Sequence, residues 1–122
     1  MNWWKKADWL WVAALLVIVD QLLKHTLSGE LVVNPGVFLG LILPNALIIL
    51  LHAIFLVVGV LWGLSNKTYL AKIVLALVVV SGSNFIDRVL FGGVIDYLQI
   101  WGVWFNLADV GVSVFLVLAL FF

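Results

Sequence analysis

The sequence contains apolar segments too long for a soluble domain. Residues 31–66 carry no charged side chain over 36 consecutive positions, and only 10% of the 122 residues are charged. A soluble domain typically carries about 25% charged residues, and a membrane-spanning helix needs about 20 mostly apolar residues. The mean hydropathy of +1.30 points the same way. We therefore predict an all-α integral membrane protein.

Breaks in the apolar sequence divide it into four predicted transmembrane helices. They lie at about residues 9–27, 45–64, 70–91 and 106–122, within a single integral membrane domain over residues 1–122. Asn34-Pro35-Gly36 and Pro44 interrupt the long uncharged segment, so its helix is predicted to begin at Asn45. Residues 94–105 are apolar but contain Asp96 and Gly102, which favours a hairpin or a short surface helix.

The placement of lysines predicts the orientation in the membrane. Lys5 and Lys6 precede the first span, and Lys67 and Lys72 flank the turn between the second and third spans. Short cytoplasmic loops are enriched in Lys and Arg, so both termini are predicted to be cytoplasmic. Residues 30–44 and 91–105 then face outward, and Tyr97 is predicted to lie in an outer aromatic belt with two tryptophans, Trp101 and Trp104.

Composition also limits the partners and the chemistry. A net charge of zero gives no reason to expect nucleic acid as a partner, and the absence of cysteine excludes disulfides and a cysteine nucleophile. His52 is predicted to be a hydrogen-bonded core residue. We expect no metal and no cofactor, although carboxylates alone can bind a hard cation. Three glycines are predicted to allow close helix packing: Gly59, Gly63 and Gly82.

Four aspartates lie inside or at the ends of these spans: Asp20, Asp87, Asp96 and Asp109. A carboxylate at the bilayer centre costs at least about 2.5–3.5 kcal/mol, so such groups are candidates for a functional site. At about 1.5 Å per helical residue, three of them lie about 18–22 Å from the cytoplasmic ends of their helices. They therefore form one polar layer near the extracytoplasmic face, with Asp96 just beyond it.

Two of the aspartates have a basic neighbour in sequence. Asp20 and Lys24 are four residues apart on one helix face, which favours a supporting ion pair over direct chemistry. Asp87 and Arg88 are adjacent and cannot share one face. Arg88 is therefore predicted to reach another partner or the substrate, and a structural role stays equally open.

Asp96 and Asp109 have no basic residue within four positions on a shared helix. Asp109 opens the fourth span, where capping the helix is a structural explanation for its presence. Two carboxylates that meet cannot both ionise easily, so they would share one proton. Such a pair can hold a water molecule, with one group as general base and the other as general acid. Spacing alone does not decide between these explanations.

Five short motifs occur in order along the chain. They are D-Q-x-x-K at Asp20–Lys24, N-P-G-V-F-L-G at Asn34–Gly40, N-x-x-D-R at Asn84–Arg88, G-x-I-D-Y at Gly93–Tyr97 and F-N-x-A-D at Phe105–Asp109. Together they closely resemble the motifs of signal peptidase II, a family of intramembrane aspartyl proteases that process bacterial lipoproteins. Each motif alone is a weak signal, but five in this order make a chance resemblance improbable.

The resemblance implies a fold, a reaction and a set of site residues. It implies four transmembrane helices in the bacterial cytoplasmic (inner) membrane and cleavage of the signal peptide of a diacylglyceryl-modified prolipoprotein. Asp96 and Asp109 match the catalytic pair. The positions that bind substrate or shape the site are matched by Asn34, Asn84, Arg88 and Asn106, and the supporting positions by Asp20, Lys24 and Asp87.

The outward segments are shorter than is usual in that family. Ten positions separate Lys24 from Asn34, and ten separate Asp96 from Asn106. The family's longer insertions form a β-cradle and a lid over the site, so we expect this chain to have only a small β-cradle. The Asn34 motif also has Phe38-Leu39 where the family usually has Ala-Phe.

The resulting hypothesis is an intramembrane aspartyl endopeptidase in which the pair activates water, without a metal or a covalent intermediate. The lipid-modified precursor would enter laterally from the bilayer, membrane lipids would surround the protein, and the protein would act as a monomer. A small four-helix proton-coupled transporter that depends on Asp20 is one alternative. A degenerate homologue that binds lipoprotein precursors without cutting them is another.

Overall fold

The computed structural model describes residues 7–27, 32–34, 37–38 and 41–121. Within them lie four helices, α1 (Trp9–Thr26), α2 (Asn45–Ser65), α3 (Tyr69–Phe91) and α4 (Leu107–Phe121). The first three are long and apolar enough to cross a membrane, and α4 is a shorter apolar helix of 15 residues. The predicted all-α membrane fold with small β elements is confirmed.

Local side-chain contacts set where the helices begin and end. The Asp8 carboxylate accepts a hydrogen bond from Leu10 N at 3.2 Å, and the Thr68 hydroxyl accepts one from Ala71 N at 3.1 Å. Both contacts satisfy backbone donors that the first turn of a helix leaves free. At the other end of α3, Gly92 adopts φ 75°, a left-handed conformation typical of helix C-termini.

Helix α3 is the central helix of the bundle, because it packs against α1, α2 and α4. Accordingly, nine of the 23 residues of α3 are buried, against two of the 21 residues of α2. The core between α1, α3 and α4 is formed by small and branched side chains and one aromatic: Ala13, Ile73, Ala76, Leu77, Val80, Ala108 and Phe115. α2 packs against one side of α3 and leaves most of its apolar surface facing outward.

Glycines allow two of these helices to approach α3 closely. A Cβ placed on Gly63 of α2 would lie 2.6 Å from Leu75, and one on Gly59 would collide with Val78. A Cβ on Gly111 of α4 would lie 2.8 Å from Val80. The prediction of close packing therefore holds for Gly59 and Gly63. It is wrong for Gly82, where a Cβ would meet no atom of the described residues within 4 Å.

Within the described residues, six short strands form three antiparallel pairs at the end of the bundle where α1 and α3 end. They are β1 (Val32–Asn34) with β4 (Val94–Asp96), β2 (Val37–Phe38) with β3 (Leu41–Ile42), and β5 (Leu98–Ile100) with β6 (Val103–Phe105). Of the two structures predicted for residues 94–105, the hairpin is therefore the one observed. Its turn contains Trp101 at φ 51° and Gly102 at φ 78°, as a tight hairpin turn requires.

The glycine contacts predict opposite effects for two substitutions. Gly63→Val forces a branched side chain against Leu75 and should lower the free energy of unfolding by about 1–3 kcal/mol, the usual cost of overpacking. Gly82→Ala adds a methyl group where there is room and should leave stability unchanged or raise it. Thermal unfolding of both variants in detergent measures the difference, and equal melting temperatures would contradict the packing described.

Candidate active site

Polar side chains are buried together at the end of the bundle where α1 and α3 end and α4 begins. They come from α1, α3, β4 and the start of α4, and those at most 2% exposed are Asp20, Lys24, Ser83, Asp87, Asp96 and Asn106. Buried charges persist in an apolar environment only when they are paired and hydrogen-bonded. The contacts within this cluster therefore show what each group can do.

Lys24 lies at the centre of the charged part of the cluster. Its Nζ is 2.7 Å from Asp20 Oδ2 and 2.6 Å from Asp87 Oδ2, and all three side chains are fully buried. Lys24 Nζ also donates a hydrogen bond to Asn84 Oδ1 at 3.1 Å. An ammonium group has three donors, and each has an acceptor here. The predicted Asp20–Lys24 pair is present, and Asp87 is a second carboxylate on the same cation.

Further hydrogen bonds hold Asp20 in place. Ser83 Oγ donates to its Oδ2 at 2.6 Å, and the Tyr97 hydroxyl donates to its Oδ1 at 2.7 Å. The same hydroxyl accepts a hydrogen bond from Leu107 N at 3.0 Å. Burial, together with the bond to Asp20, raises the pKa of Tyr97, so the phenol remains a donor. Tyr97 thus connects α1 to the beginning of α4.

Three residues of the polar cluster were not predicted to belong to the site: Ser83, which directly precedes the Asn84 motif, and Tyr97 and Gln21. Tyr97 was expected in an aromatic belt, yet its hydroxyl belongs to the polar cluster. Gln21 Nε2 donates to Ser83 Oγ at 2.9 Å and to Asp87 Oδ1 at 3.2 Å. Tyr97 and Gln21 lie within the motifs, beside Asp96 and Asp20, and that position is the only signal in the sequence that could have identified them.

Asp87 connects the ion pairs to strand β4. Its Oδ2, already paired with Lys24, accepts a hydrogen bond from Ile95 N at 3.1 Å. Because Asp96 follows Ile95 directly, this bond fixes the strand that carries Asp96. Asp87 therefore supports the site, and its contacts with Lys24 and Ile95 explain why a carboxylate is needed at this position.

Asn106 joins the remaining two aspartates. Its Nδ2 donates to Asp96 Oδ1 at 3.0 Å, to Asn84 Oδ1 at 2.9 Å and to Ile95 O at 3.2 Å. Its Oδ1 accepts from Asp109 N at 2.9 Å, and its own N–H donates to Asp109 Oδ2 at 3.0 Å. These last two bonds form a reciprocal cap at the start of α4. The cap residue is Asn106, and Asp109 occupies the third helical position.

Asp109 has a second amide donor. Asn84 Nδ2 donates to Asp109 Oδ1 at 2.9 Å, while the Oδ1 of the same amide accepts from Asn106. Asp96 and Asp109 therefore belong to one hydrogen-bond network through two neutral asparagines. In contrast, Asp20 and Asp87 are paired directly with a cation.

Two other residues predicted for the site, Arg88 and Asn34, have fewer described contacts. Arg88 is half-buried and lies close enough to Asp109, Asp96 and Asp87 for electrostatic attraction. Its buried Nη1 has no hydrogen-bond partner among the described residues. The backbone of Asn34 lies opposite Val94 in the β1–β4 pair, and its side chain is outside the described part of the structure.

The carboxylates of the cluster are bound by a lysine ammonium group, by hydroxyl groups and by amides. Among the described residues, no group of three or more His, Asp or Glu side chains is arranged to hold a metal ion. His52 Nε2 lies 2.6 Å from Ser81 Oγ, which is the core hydrogen bond expected for it. The expectation of no metal and no cofactor stays a prediction.

Together, the fold and this cluster define an integral membrane protein with a buried carboxylate site at one end of a four-helix bundle. A sequence model of the family described as signal peptidase (SPase) II matches residues 10–122. The chain belongs to that family, and it is therefore a member of a peptidase family.

Comparison with known proteins gives relatives of the same kind. The lipoprotein signal peptidases of Desulfitobacterium hafniense strains DSM 10664 / DCB-2 and Y51 are 29% identical over 139 aligned positions, covering 91% of this chain and 92% of theirs. The alignment is longer than this chain of 122 residues, so these relatives contain residues that it lacks.

A solved structure shares the fold. It is described as a bacterial membrane enzyme determined by the in meso method, and it is 23% identical to this chain, with a TM-score of 0.68. The match covers 92% of this chain and 86% of that one.

The geometry of the ion pairs predicts that Lys24 is essential for stability. Lys24→Met leaves two carboxylates buried without their cation, and breaking a buried pair costs about 3–5 kcal/mol. The matched control is Lys72→Met, because Lys72 is exposed at the opposite end of α3. We expect a large fall in melting temperature for Lys24→Met alone. Equal melting temperatures for the two variants would be inconsistent with this assignment.

Proposed function

We propose that the chain is an intramembrane aspartyl endopeptidase that removes signal peptides from diacylglyceryl-modified prolipoproteins. Membership of the signal peptidase II family and the names of the two Desulfitobacterium relatives support this substrate class. The observation that carries the aspartyl mechanism is the Asn106 side chain. Its Nδ2 donates to Asp96 Oδ1, and the backbone N of the same residue donates to Asp109 Oδ2, so Asn106 links the two carboxylates proposed to react.

The different partners of the four aspartates support the choice of this pair. The carboxylates of Asp20 and Asp87 are already engaged in charge-assisted contacts with the buried Lys24 ammonium group, so we assign them a supporting role. The hydrogen bonds to Asp109 come from the neutral donors Asn84 Nδ2 and Asn106 N. Carboxylates with neutral donors in a buried site can exchange a proton, as general acid–base catalysis requires.

The proposed reaction needs one shared proton and one water molecule. The ionised aspartate takes a proton from the water, whose oxygen attacks the carbonyl carbon of the scissile peptide bond. The protonated aspartate gives its proton to the carbonyl oxygen, which yields a neutral tetrahedral diol. When the C–N bond breaks, the protonated aspartate gives its proton to the amine nitrogen, and one hydroxyl proton of the diol passes to the ionised aspartate, which leaves a carboxylic acid and a free amine. The pair ends with one proton, as it began.

The other site residues would position the carboxylates and the substrate. The amides of Asn84 and Asn106 bond to the carboxylates, so we propose that they hold the pair in place; contact of either with substrate stays a prediction. Arg88 Nη1 is buried without a partner among the described residues and is proposed to donate to a substrate carbonyl. Asn34, on the strand paired with β4, is also proposed to bind substrate.

The cluster's place in the bundle supports an active site near the extracytoplasmic face. The cluster lies at the C-terminal ends of α1 and α3 and the N-terminal end of α4. Lys67 and Lys72 lie at the opposite end of α3, which the distribution of basic residues assigns to the cytoplasm. We propose the cytoplasmic (inner) membrane as the location, lateral entry of the precursor from the bilayer, and a monomeric enzyme.

The aspartyl mechanism predicts that both carboxylates are needed. Asp96→Asn and Asp109→Asn should each lower the rate of cleavage of a purified lipidated prolipoprotein by about 10²–10⁴-fold, the usual contribution of general acid–base groups. Asp8→Asn is the matched control, because Asp8 is an exposed cap at the far end of α1. Melting temperatures near that of the wild type would show that the site variants fold.

Each alternative function predicts a different result. Cleavage that persists in Asp96→Asn or Asp109→Asn would contradict the catalytic pair. No cleavage by the wild type, with binding of the precursor retained, would indicate a homologue that only binds precursors. A proton flux lost specifically in Asp20→Asn would indicate a transporter. That last alternative is not favoured, because Asp20 is paired with Lys24 and bonded to Ser83 and Tyr97.

A further inference from the structure

Two buried polar atoms at the interface of α2 and α3 have no role in the network described so far. Three buried side-chain atoms lack a hydrogen-bond partner among the described residues: Asn45 Oδ1, Arg88 Nη1 and the Tyr69 hydroxyl. Tyr69 begins α3 at the cytoplasmic end, whereas Asn45 begins α2 and Arg88 lies near the end of α3, at the outer end. A buried polar atom without a bond is costly, so each needs an explanation.

The register of the two helices places Asn45 opposite Arg88. α2 and α3 are antiparallel neighbours, and His52 contacts Ser81 across their interface at 2.6 Å. Asn45 precedes His52 by seven residues, and Arg88 follows Ser81 by seven. Seven residues are about two helical turns, so each outer residue lies on the same helix face as its deeper partner. We call the outer end of this interface, at Asn45 and Arg88, the outer seam.

The outer seam is adjacent to the proposed catalytic pair. Arg88 lies one helical turn beyond Asn84, and Asn84 Nδ2 donates to Asp109 at 2.9 Å. A substrate segment bound at the outer seam would therefore lie close to these carboxylates.

The chemistry of the two free atoms indicates what they bind. Arg88 Nη1 is a donor and Asn45 Oδ1 is an acceptor, so together they complement a group with one acceptor and one donor. A peptide unit has both, in its C=O and its N–H. A lipid ester has only the carbonyl, and the three aspartates near Arg88 oppose binding of a phosphate or carboxylate. The seam therefore fits a neutral backbone amide best.

We propose that Asn45 is a substrate-binding residue, which together with Arg88 holds one backbone peptide unit of the signal peptide at the outer seam. The substrate carbonyl accepts from Arg88 Nη1, and the substrate N–H donates to Asn45 Oδ1. This inference rests on the proposed function, because it assumes that the bound polypeptide is the one that is cut. It adds a contact from α2, a helix that contributes none of the aspartates.

Replacing Asn45 by an apolar residue of similar size separates binding from stability. Asn45→Leu removes an acceptor that has no partner in the free enzyme, so the melting temperature should stay the same or rise. The KM for a lipidated precursor peptide should rise about three- to tenfold, as loss of one hydrogen bond implies, with kcat little changed. Tyr69→Phe is the matched control, because it removes the other unpartnered atom far from the site, and its KM should stay unchanged.

An amide-to-ester scan of the substrate tests the contact itself. Replacing one backbone amide of the lipidated peptide by an ester removes a single N–H. For wild type, we expect one ester position near the cleavage site to raise KM by a similar factor. For Asn45→Leu, the same ester should have a smaller effect, because the N–H it removes no longer has a partner and only the weaker ester carbonyl on Arg88 still counts.

The possible outcomes are distinguishable. The inference is overturned if Asn45→Leu has the same KM as Tyr69→Phe, or if it melts lower with KM unchanged, as a structural residue would. It is also overturned if every ester position raises KM by the same factor in Asn45→Leu as in the wild type. A wild-type protein that cleaves no lipidated precursor would overturn the proposed function, and this inference with it. Cleavage by wild type with no effect at Asn45 would overturn this inference alone.

Discussion

The buried ion pairs of Lys24 allow the rest of the site to exist in an apolar bundle. One ammonium group lies within 2.7 Å of both Asp20 and Asp87 and also donates to Asn84. Without it, two carboxylates would be buried with no cation, and α1 and α3 would lose the 2.6 Å contact between Lys24 and Asp87. Because Asp87 also accepts from Ile95 N, the ion pairs position β4 as well as two helices.

This arrangement divides the polar cluster into two parts with different chemistry. Asp20 and Asp87 are both bound to the Lys24 ammonium group and connect elements of the fold. Asp96 and Asp109 are connected to each other through the amides of Asn106 and Asn84. Asn106 also caps helix α4, so the residue that starts this helix also holds the Asp109 carboxylate in position.

Features set by local sequence could be predicted, whereas those set by distant contacts could not. The lengths of the apolar segments predicted four helices, and the four-residue spacing of Asp20 and Lys24 predicted their ion pair. The second partner of Lys24 and the bond from Tyr97 to Asp20 join residues 63 and 77 positions apart, and no periodicity reports such contacts. Gly82 shows the same limit. A glycine within a predicted span suggests close helix packing, but only the position of the neighbouring helix decides whether the helices approach there.

Infrared spectroscopy of carboxyl protonation tests the division of the aspartates most directly. If Asp96 and Asp109 share one proton, the folded protein near neutral pH has a protonated carboxyl band. This band should disappear in Asp96→Asn or in Asp109→Asn and persist in Asp87→Asn. A band that is absent from the wild type, or that is lost in Asp87→Asn and retained in both other variants, would contradict the assignment.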